Sequence, residues 1–194
     1  HILIRINNIV NDLNKDMWMY IANDIFIVKA IKNEVGSSTM PHKINPIDFE
    51  NSEGNVGLAN SMFNFFAEKL PISRLQRDLS DSTSLRNIGV AFGYSVMAYK
   101  STINGLNKIS PNKKKINEEL DNNWVVLSEA VQTIMRLENV DNAYEKLKEL
   151  TRGKNLDQEK YLEFIKSLKI SDKNKEYLLN LKPQNYIGVA TKLK

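Results

Sequence analysis

Apolar side chains recur at intervals of three and four residues along much of the chain, and this spacing places them on one face of an α-helix. Three long stretches show the pattern most clearly, and they are residues 7–31, 50–69 and 83–107. The sequence therefore predicts three long amphipathic helices, as in a helical bundle. Their glycines are expected to permit close approach between helices rather than to mark breaks, and these are Gly54, Gly57, Gly89, Gly93 and Gly105.

The first and third of these helices each carry a row of large apolar residues. In the first helix the row is Ile9, Val10, Leu13, Met17, Trp18, Ile21, Ile25 and Val28. In the third helix it is Leu85, Ile88, Phe92, Val96, Met97, Ile103 and Leu106. The second helix is expected to begin at a cap formed by Asp48 or Asn51 and to end before Pro71.

The pattern changes around Ser110-Pro111-Asn112, beyond which the periodic stretches become shorter. They predict five helices, at residues 112–120, 123–138, 141–151, 157–168 and 172–181. Asp141 and Asp157 are the expected N-caps of two of them. No strand-like alternation of useful length and no internal repeat is visible. The sequence therefore predicts an all-α fold in two parts, residues 1–107 in a long-helix bundle and residues 108–194 in a smaller helical domain.

Composition narrows the class of protein further. The chain has 194 residues, of which 42% are hydrophobic, and it can bury one substantial core or two modest ones. It contains no cysteine, which excludes a disulfide scaffold and a thiolate zinc site and fits a reducing compartment. Its apolar runs are too short to cross a bilayer. The net charge of +4 is scattered, and this favours an ordinary surface over a nucleic-acid patch.

Residues 36–46 concentrate side chains that can do chemistry. A glycine, three hydroxyls, a histidine, a lysine, an asparagine and two prolines fall within eleven residues. Ser37 or Ser38 can act as a nucleophile or base if its proton is drawn away, and Lys43 and Asn45 can each bind a carboxylate. The segment is therefore expected to bind a small anion and to close over it. A structural Ser/Asx turn with a surface lysine is the alternative.

A second polar segment, residues 74–87, has the composition of a phosphate site. Arginine offers a planar fork to a phosphate, hydroxyls add short donors, and the start of a helix favours an anion. The candidate ligands of a phosphate are Arg77, Ser82, Thr83 and Arg86. The alternative is a capped helix whose arginines pair with the neighbouring Asp78 and Asp81. From these residues alone, the two interpretations stand equal.

Residues 36–46 resemble the signature of the fumarase/aspartase superfamily, Gly-Ser-Ser-x-Met-Pro-x-Lys-x-Asn-Pro, and every specified position matches. Members of this superfamily break a C–N or C–O bond by β-elimination and release fumarate or a related product. The whole stretch 34–87 is similar to the bacterial type of the adenylosuccinate lyase family. The similarity continues at residues 119–124, 144–153 and 183–188. It therefore covers nearly all of the chain.

The resemblance implies a role for each candidate residue. Ser37 would be the general base, and Lys43 and Asn45 would bind the carboxylates of the succinyl group, with Ser38 also touching substrate. The residues Arg77, Ser82, Thr83 and Arg86 would bind the substrate and hold its 5′-phosphate. The implied substrates are adenylosuccinate and the related succinyl-carboxamide ribonucleotide of purine biosynthesis, the implied products include fumarate and AMP, and no cofactor or metal is implied.

The resemblance also implies what the chain lacks. The family's general acid is a histidine from an earlier segment, and no residue here matches it. The chain begins at His1 without an initiator methionine, and we expect it to be the C-terminal part of a longer cytoplasmic protein and to be inactive alone. The family forms homotetramers in which three subunits build each active site. Another lyase of the superfamily, such as an argininosuccinate lyase, a non-catalytic helical relative and a basic nucleic-acid module are the alternatives.

Overall fold

The computed structural model describes residues 1–29, 45–76, 78–151 and 156–193. Most of these residues are helical, and the predicted all-α class is confirmed. The chain divides into two compact units, residues 1–112 and residues 113–194. A short strand at Ile109–Pro111 belongs to the first unit, and the second unit therefore begins at Lys113 rather than at residue 108.

Unit 1 is built around one central helix. Its elements are α1 (Ile2–Ala22), β1 (Phe26–Val28), α2 (Ile47–Lys69), α3 (Ser80–Leu85), α4 (Ile88–Lys108) and β2 (Ile109–Pro111). Helix α2 packs along both α1 and α4, whereas α1 and α4 touch each other little. Strands β1 and β2 pair antiparallel, with Ile27 opposite Ser110. The two ends of α2 therefore mark the two ends of this unit.

Two of the predicted long helices are shorter than expected. The first ends at Ala22 because Asp24 adopts a left-handed conformation (φ 60°), which aspartate tolerates better than most residues. The chain then enters β1, so Ile25 lies just before a strand and Val28 lies in it, and neither continues the helix. The third predicted helix is two helices, since α3 and α4 are separated at residues 86–87.

The start of α2 also differs from the prediction. Neither Asp48 nor Asn51 caps the helix, because Pro46 occupies the N-cap position and no side chain caps it. Both polar residues instead bind α4. Asp48 pairs with Lys108 at 2.7 Å, and the Asn51 amide donates to the Ser101 hydroxyl at 3.1 Å. The end of α2 at Lys69, just before Pro71, agrees with the sequence.

Small residues, rather than the rows of large apolar ones, form the inner face of α4. The buried positions of this helix are Ala91, Ser95, Ala98, Ser101, Thr102 and Gly105. The large side chains Phe92, Val96, Met97 and Ile103 are about half exposed in this chain, at 47–56%. In α1, Ile9 is 71% exposed while Asn7 and Asn14 are buried. Small side chains let α4 lie close against α2. The Phe92 ring packs edge-on against Phe63 of α2, whereas Val96, Met97 and Ile103 leave about half of their surface exposed.

A layer of buried polar side chains joins the three long helices. The Asn14 amide on α1 donates to the Ser52 hydroxyl on α2 at 2.8 Å, and the Thr102 hydroxyl on α4 donates to Asn14 Oδ1 at 2.8 Å. Asn7 forms a second junction, donating to Asn60 at 2.8 Å and to Ser95 at 3.1 Å. Because each buried group is satisfied only in one alignment, this layer fixes how the helices align along their axes.

The polar layer predicts that alanine substitutions at two asparagines of α1 lower the free energy of unfolding by very different amounts. Replacing Asn14, which is 1% exposed, by alanine removes one buried hydrogen bond from each of the Ser52 and Thr102 hydroxyls, which keep their bond to each other across the helices, and it opens a void. The expected loss is about 2–3 kcal/mol of unfolding free energy in a urea titration. Asn8→Ala is the matched control on the same helix, because the Asn8 side chain is exposed and water can replace the bond that it accepts from the Asn60 amide, and it should cost no more than about 1 kcal/mol. Equal losses would contradict the role assigned to the polar layer.

In the described part of unit 2, the α-helices are α5 (Lys113–Asp121), α6 (Ser128–Leu137), α7 (Ala143–Thr151), α8 (Gln158–Ser167) and α9 (Asp172–Asn180). Trp124 is 7% exposed and packs against the Tyr161 ring, so it is a core residue of this unit. The Tyr161 hydroxyl donates to the Leu178 carbonyl oxygen at 2.9 Å, and burial raises its pKa. The Lys160 backbone amide donates to the Asp157 carboxylate at 2.9 Å, which confirms Asp157 as the predicted N-cap of α8. The cap predicted at Asp141 is wrong, because α7 begins only at Ala143.

Candidate functional site

The eight candidate site residues divide into two groups. Ser37, Ser38, Lys43 and Arg77 lie outside the described residues. The structure places the other four, which are Asn45, Ser82, Thr83 and Arg86. These four lie just beyond the two ends of helix α2, and each end is considered in turn.

At the start of α2, Asn45 lies in a close-packed corner of unit 1. Asn45 is half-buried, and Pro46 follows it at the N-cap position. The Pro46 carbonyl oxygen accepts from the amides of Phe49 at 3.0 Å and Glu50 at 3.2 Å, which begins the helix. Asn45 also lines a cavity of about 10 Å³ together with Lys108. This volume holds no more than one water molecule, so the space between Asn45 and Lys108 is closely packed.

Two contacts hold this corner against the end of α4. The Lys108 ammonium lies 2.7 Å from Asp48 Oδ2, and both side chains are less than a fifth exposed. The Phe49 ring is 2% exposed and lies on Gly105, where an added Cβ would come within 2.8 Å of the ring. Gly105 therefore permits the close helix approach expected of it. Gly54, Gly57, Gly89 and Gly93 face open space in this chain.

Beyond the other end of α2, the aspartates of the second polar segment are already paired. Arg74 donates to Asp78 at 2.7 Å, and Asp78 also accepts from the Ser80 amide at 2.9 Å. The Arg74 hydrogen bond, followed by the bonds from Ser80, holds the pKa of Asp78 well below its ordinary range. Lys69 reaches from α2 to Asp81 at 3.0 Å. The aspartates thus position the start of α3, and the predicted alternative of paired surface groups is correct for Arg74.

Arg86 is placed differently from Arg74. It is exposed and follows the last residue of α3, one helical turn after the half-buried Ser82, whose carbonyl oxygen accepts its amide at 3.4 Å. Residues four apart in a helix lie on the same face. Within the described residues, no carboxylate forms an ion pair with the Arg86 guanidinium. The structure therefore brings a hydroxyl and a cation together on one face of α3, with Thr83 exposed beside them.

The two groups are far apart in one copy of the chain. Helix α2 has 23 residues, and at 1.5 Å per residue it is roughly 35 Å long. Asn45 precedes its first residue, whereas Ser82 and Arg86 are held near its last turn by the Lys69–Asp81 ion pair. A single nucleotide is far shorter than this helix. One copy of unit 1 therefore holds the two groups of candidate residues apart, at opposite ends of α2.

Sequence reasoning missed Lys69, Asp81 and Lys108 as residues that hold these groups in place. Their signal in the sequence is weak, because a charged residue near a helix end is common.

In the part of the chain that the structure describes, no helix is long and apolar enough to span a membrane. The same described ranges contain no group of three or more histidine and acidic side chains suited to a metal ion.

Comparisons with known proteins match both parts of the chain. Residues 73–187 match the family described as adenylosuccinate lyase C-terminal, and residues 1–59 match the family described as lyase. The adenylosuccinate lyase of Legionella pneumophila (strain Corby) is 56% identical over 192 residues, which is 99% of this chain and 42% of the relative. That of Escherichia coli (strain K12) is 53% identical over 186 residues, which is 96% of this chain and 41% of the relative.

The adenylosuccinate lyase of Buchnera aphidicola subsp. Schizaphis graminum is similar to the same extent, at 56% identity over 187 residues. The chain thus spans about 42% of the length of the curated relatives that it matches. The matched family model covers more than half of the chain, and the matches to relatives run through both polar segments. This chain belongs to the adenylosuccinate lyase family.

Proposed function

We propose that the chain supplies part of an adenylosuccinate lyase, which cleaves adenylosuccinate to AMP and fumarate in purine biosynthesis. The related succinyl-carboxamide ribonucleotide is the second substrate in this proposal. The observation that carries it is identity above 50% to curated adenylosuccinate lyases over nearly the whole chain, with the full string from Gly36 to Pro46 intact. A decayed, non-catalytic relative would have no need to keep Ser37, Lys43 and Asn45 together.

The reaction assigns a task to each residue. Ser37 removes a proton from the succinyl carbon next to a carboxylate, and Lys43 and Asn45 stabilise the negative charge that spreads onto that carboxylate. The carbon–nitrogen bond then breaks, the electron pair stays on the purine nitrogen, and a double bond forms in the departing fumarate. A general acid protonates that nitrogen. No residue of this chain is assigned to that step.

The second polar segment holds the other end of the substrate. Arg86 and Ser82 lie on one face of α3, and together with Arg77 and Thr83 they bind the 5′-phosphate in this proposal. Arg86 has no carboxylate partner among the described residues, which leaves its guanidinium available to a phosphate. A phosphate site also separates this family from lyases whose substrates carry no phosphate.

The distance between the two groups supports assembly of several chains. Because Asn45 and Arg86 flank a helix of roughly 35 Å, they serve two different active sites, each completed by other subunits of a homotetramer. Large apolar side chains that are exposed on unit 1 supply the surface for this assembly, since apolar surface of this extent is otherwise costly in water. They include Ile2, Ile9, Trp18, Phe65, Phe92, Val96, Met97 and Ile103. The cytoplasm is the proposed location.

Fumarate release tests the function directly. The part of the Legionella pneumophila relative that this chain does not match is joined to residues 1–194, and the product is called the joined protein. It is expected to release fumarate from adenylosuccinate, because the added part brings the general acid. Absence of turnover in a folded joined protein would contradict the proposal.

A further inference from the structure

The beginning of α2 and the end of α4 are connected by contacts that the reaction does not itself require. The Lys108 side chain pairs with Asp48 at 2.7 Å, while the Lys108 carbonyl oxygen accepts the Lys29 amide at 2.8 Å. Lys29 extends the β1 side of the β1–β2 ladder. One residue of α4 therefore binds both the chain that leaves β1 and the chain that enters α2.

The Asp48–Lys108 ion pair is better shielded from solvent than the Lys15–Glu53 pair, which also involves α2. The side chains of Lys108 and Asp48 are 17% and 19% exposed, whereas those of Lys15 and Glu53 are 61% and 48% exposed at a longer distance of 3.5 Å. Exposed pairs contribute little, because water and salt screen them. The Asp48–Lys108 pair therefore constrains its surroundings much more strongly than the Lys15–Glu53 pair.

Asn45 lies directly at this joint. It is three residues before Asp48 and lines the same cavity of about 10 Å³ as Lys108, Val28 and Phe49. The Phe49 ring below it cannot shift toward α4, since the ring already fills the space that a side chain at residue 105 would need. The backbone that carries Asn45 is thus held from β1, from α2 and from α4.

We propose that Lys108 and Asp48 are positioning residues for Asn45, holding its amide where a carboxylate of the substrate binds. This rests on the proposed function, in which Asn45 contacts the succinyl group. Lys108 and Asp48 do not touch substrate themselves. They act by fixing the first turn of α2, and a change in Asn45 position of about 1 Å is enough to impair catalysis strongly.

Steady-state kinetics of the joined protein test whether Lys108 positions Asn45. Lys108→Met is expected to lower kcat/KM for adenylosuccinate about tenfold, while Lys108→Arg, which keeps the charge, should stay within about threefold. In the Asn45→Ala background, Lys108→Met should have no further effect, because residues that act through one another are not additive. Lys15→Met is the matched control and should leave kcat/KM unchanged. Additive losses from Asn45→Ala and Lys108→Met would overturn the proposal.

A second measurement tests the positioning of Asn45 without depending on enzymatic activity. In residues 1–194 labelled with ¹⁵N, the side-chain amide signal of Asn45 is identified by its loss in Asn45→Ala. Lys108→Met and Asp48→Asn are expected to shift this signal, and Lys15→Met is expected to leave it in place. An unshifted signal would overturn the positioning role even in a fully active enzyme. A shifted signal in a joined protein that releases no fumarate would instead support the positioning role and refute the proposed function.

Discussion

Replacing Ser37 by alanine is expected to lower kcat for fumarate release by the joined protein by about 10²- to 10⁴-fold, the usual contribution of a general base. Alanine cannot accept the proton from the succinyl carbon, so the first step of the elimination fails. The substrate carboxylates are still bound by Lys43 and Asn45. The dissociation constant of adenylosuccinate for the variant, measured by equilibrium dialysis, should therefore stay within about threefold of the KM of the parent.

Ser61→Ala is the control for this substitution. Ser61 is exposed on α2, and its hydroxyl donates to the Leu58 carbonyl oxygen at 2.8 Å, a bond within its own helix. Its loss should change kcat by less than about twofold, because the hydrogen bond of its hydroxyl among the described residues stays within α2. If Ser37→Ala keeps more than a tenth of the parent kcat, Ser37 is not the base and the mechanism is wrong.

The second large effect is expected at Arg86. Arg86→Gln should raise KM for adenylosuccinate roughly 10- to 100-fold, since a hydrogen bond between charged groups contributes about 1.5–3 kcal/mol. The rise should come with a smaller change in kcat, because the phosphate lies away from the bond that breaks. Steady-state kinetics at fixed ionic strength give both values, and fixed salt matters because screening weakens exposed contacts with phosphate.

Inhibition by AMP and by adenosine tests whether the rise in KM comes from the loss of a contact with the phosphate. AMP should inhibit the parent more strongly than adenosine does, and Arg86→Gln should remove most of that difference. Arg136→Gln, an exposed arginine in the last turn of α6, is the matched control and should change neither KM nor the preference for AMP. Equal inhibition of the parent by AMP and adenosine would contradict a phosphate site at Ser82 and Arg86.

The sequence predicts the helices of this protein better than it predicts which of their faces are buried. Large apolar residues at helical spacing correctly indicate α1 and α4, but Ile9 and Met97 are exposed in the chain while Asn14 and Thr102 are buried. Periodicity identifies an apolar face without saying which partner covers it. Buried asparagines look like surface residues until their partners on two other helices are known. The break after Ala22 depends likewise on pairing with β2, more than eighty residues later.

The predictions for the candidate site come from consecutive residues. The string at residues 36–46 predicts a site for a small anion, and the arginines and hydroxyls of residues 74–87 predict a phosphate site. What holds these groups comes from distant parts of the chain. Lys108 lies sixty residues from Asp48, and no local pattern links them. The separation of Asn45 from Arg86 by the length of α2 likewise becomes visible only in the folded unit.

Fumarate release measured on three samples tests the central claim most directly. The samples are residues 1–194 alone, the joined protein, and the joined protein supplied with argininosuccinate instead of adenylosuccinate. The account predicts fumarate from adenylosuccinate with the joined protein only, because the chain alone lacks the general acid and argininosuccinate carries no phosphate for Arg86. Rapid release by the chain alone, or a preference for argininosuccinate by the joined protein, would contradict it.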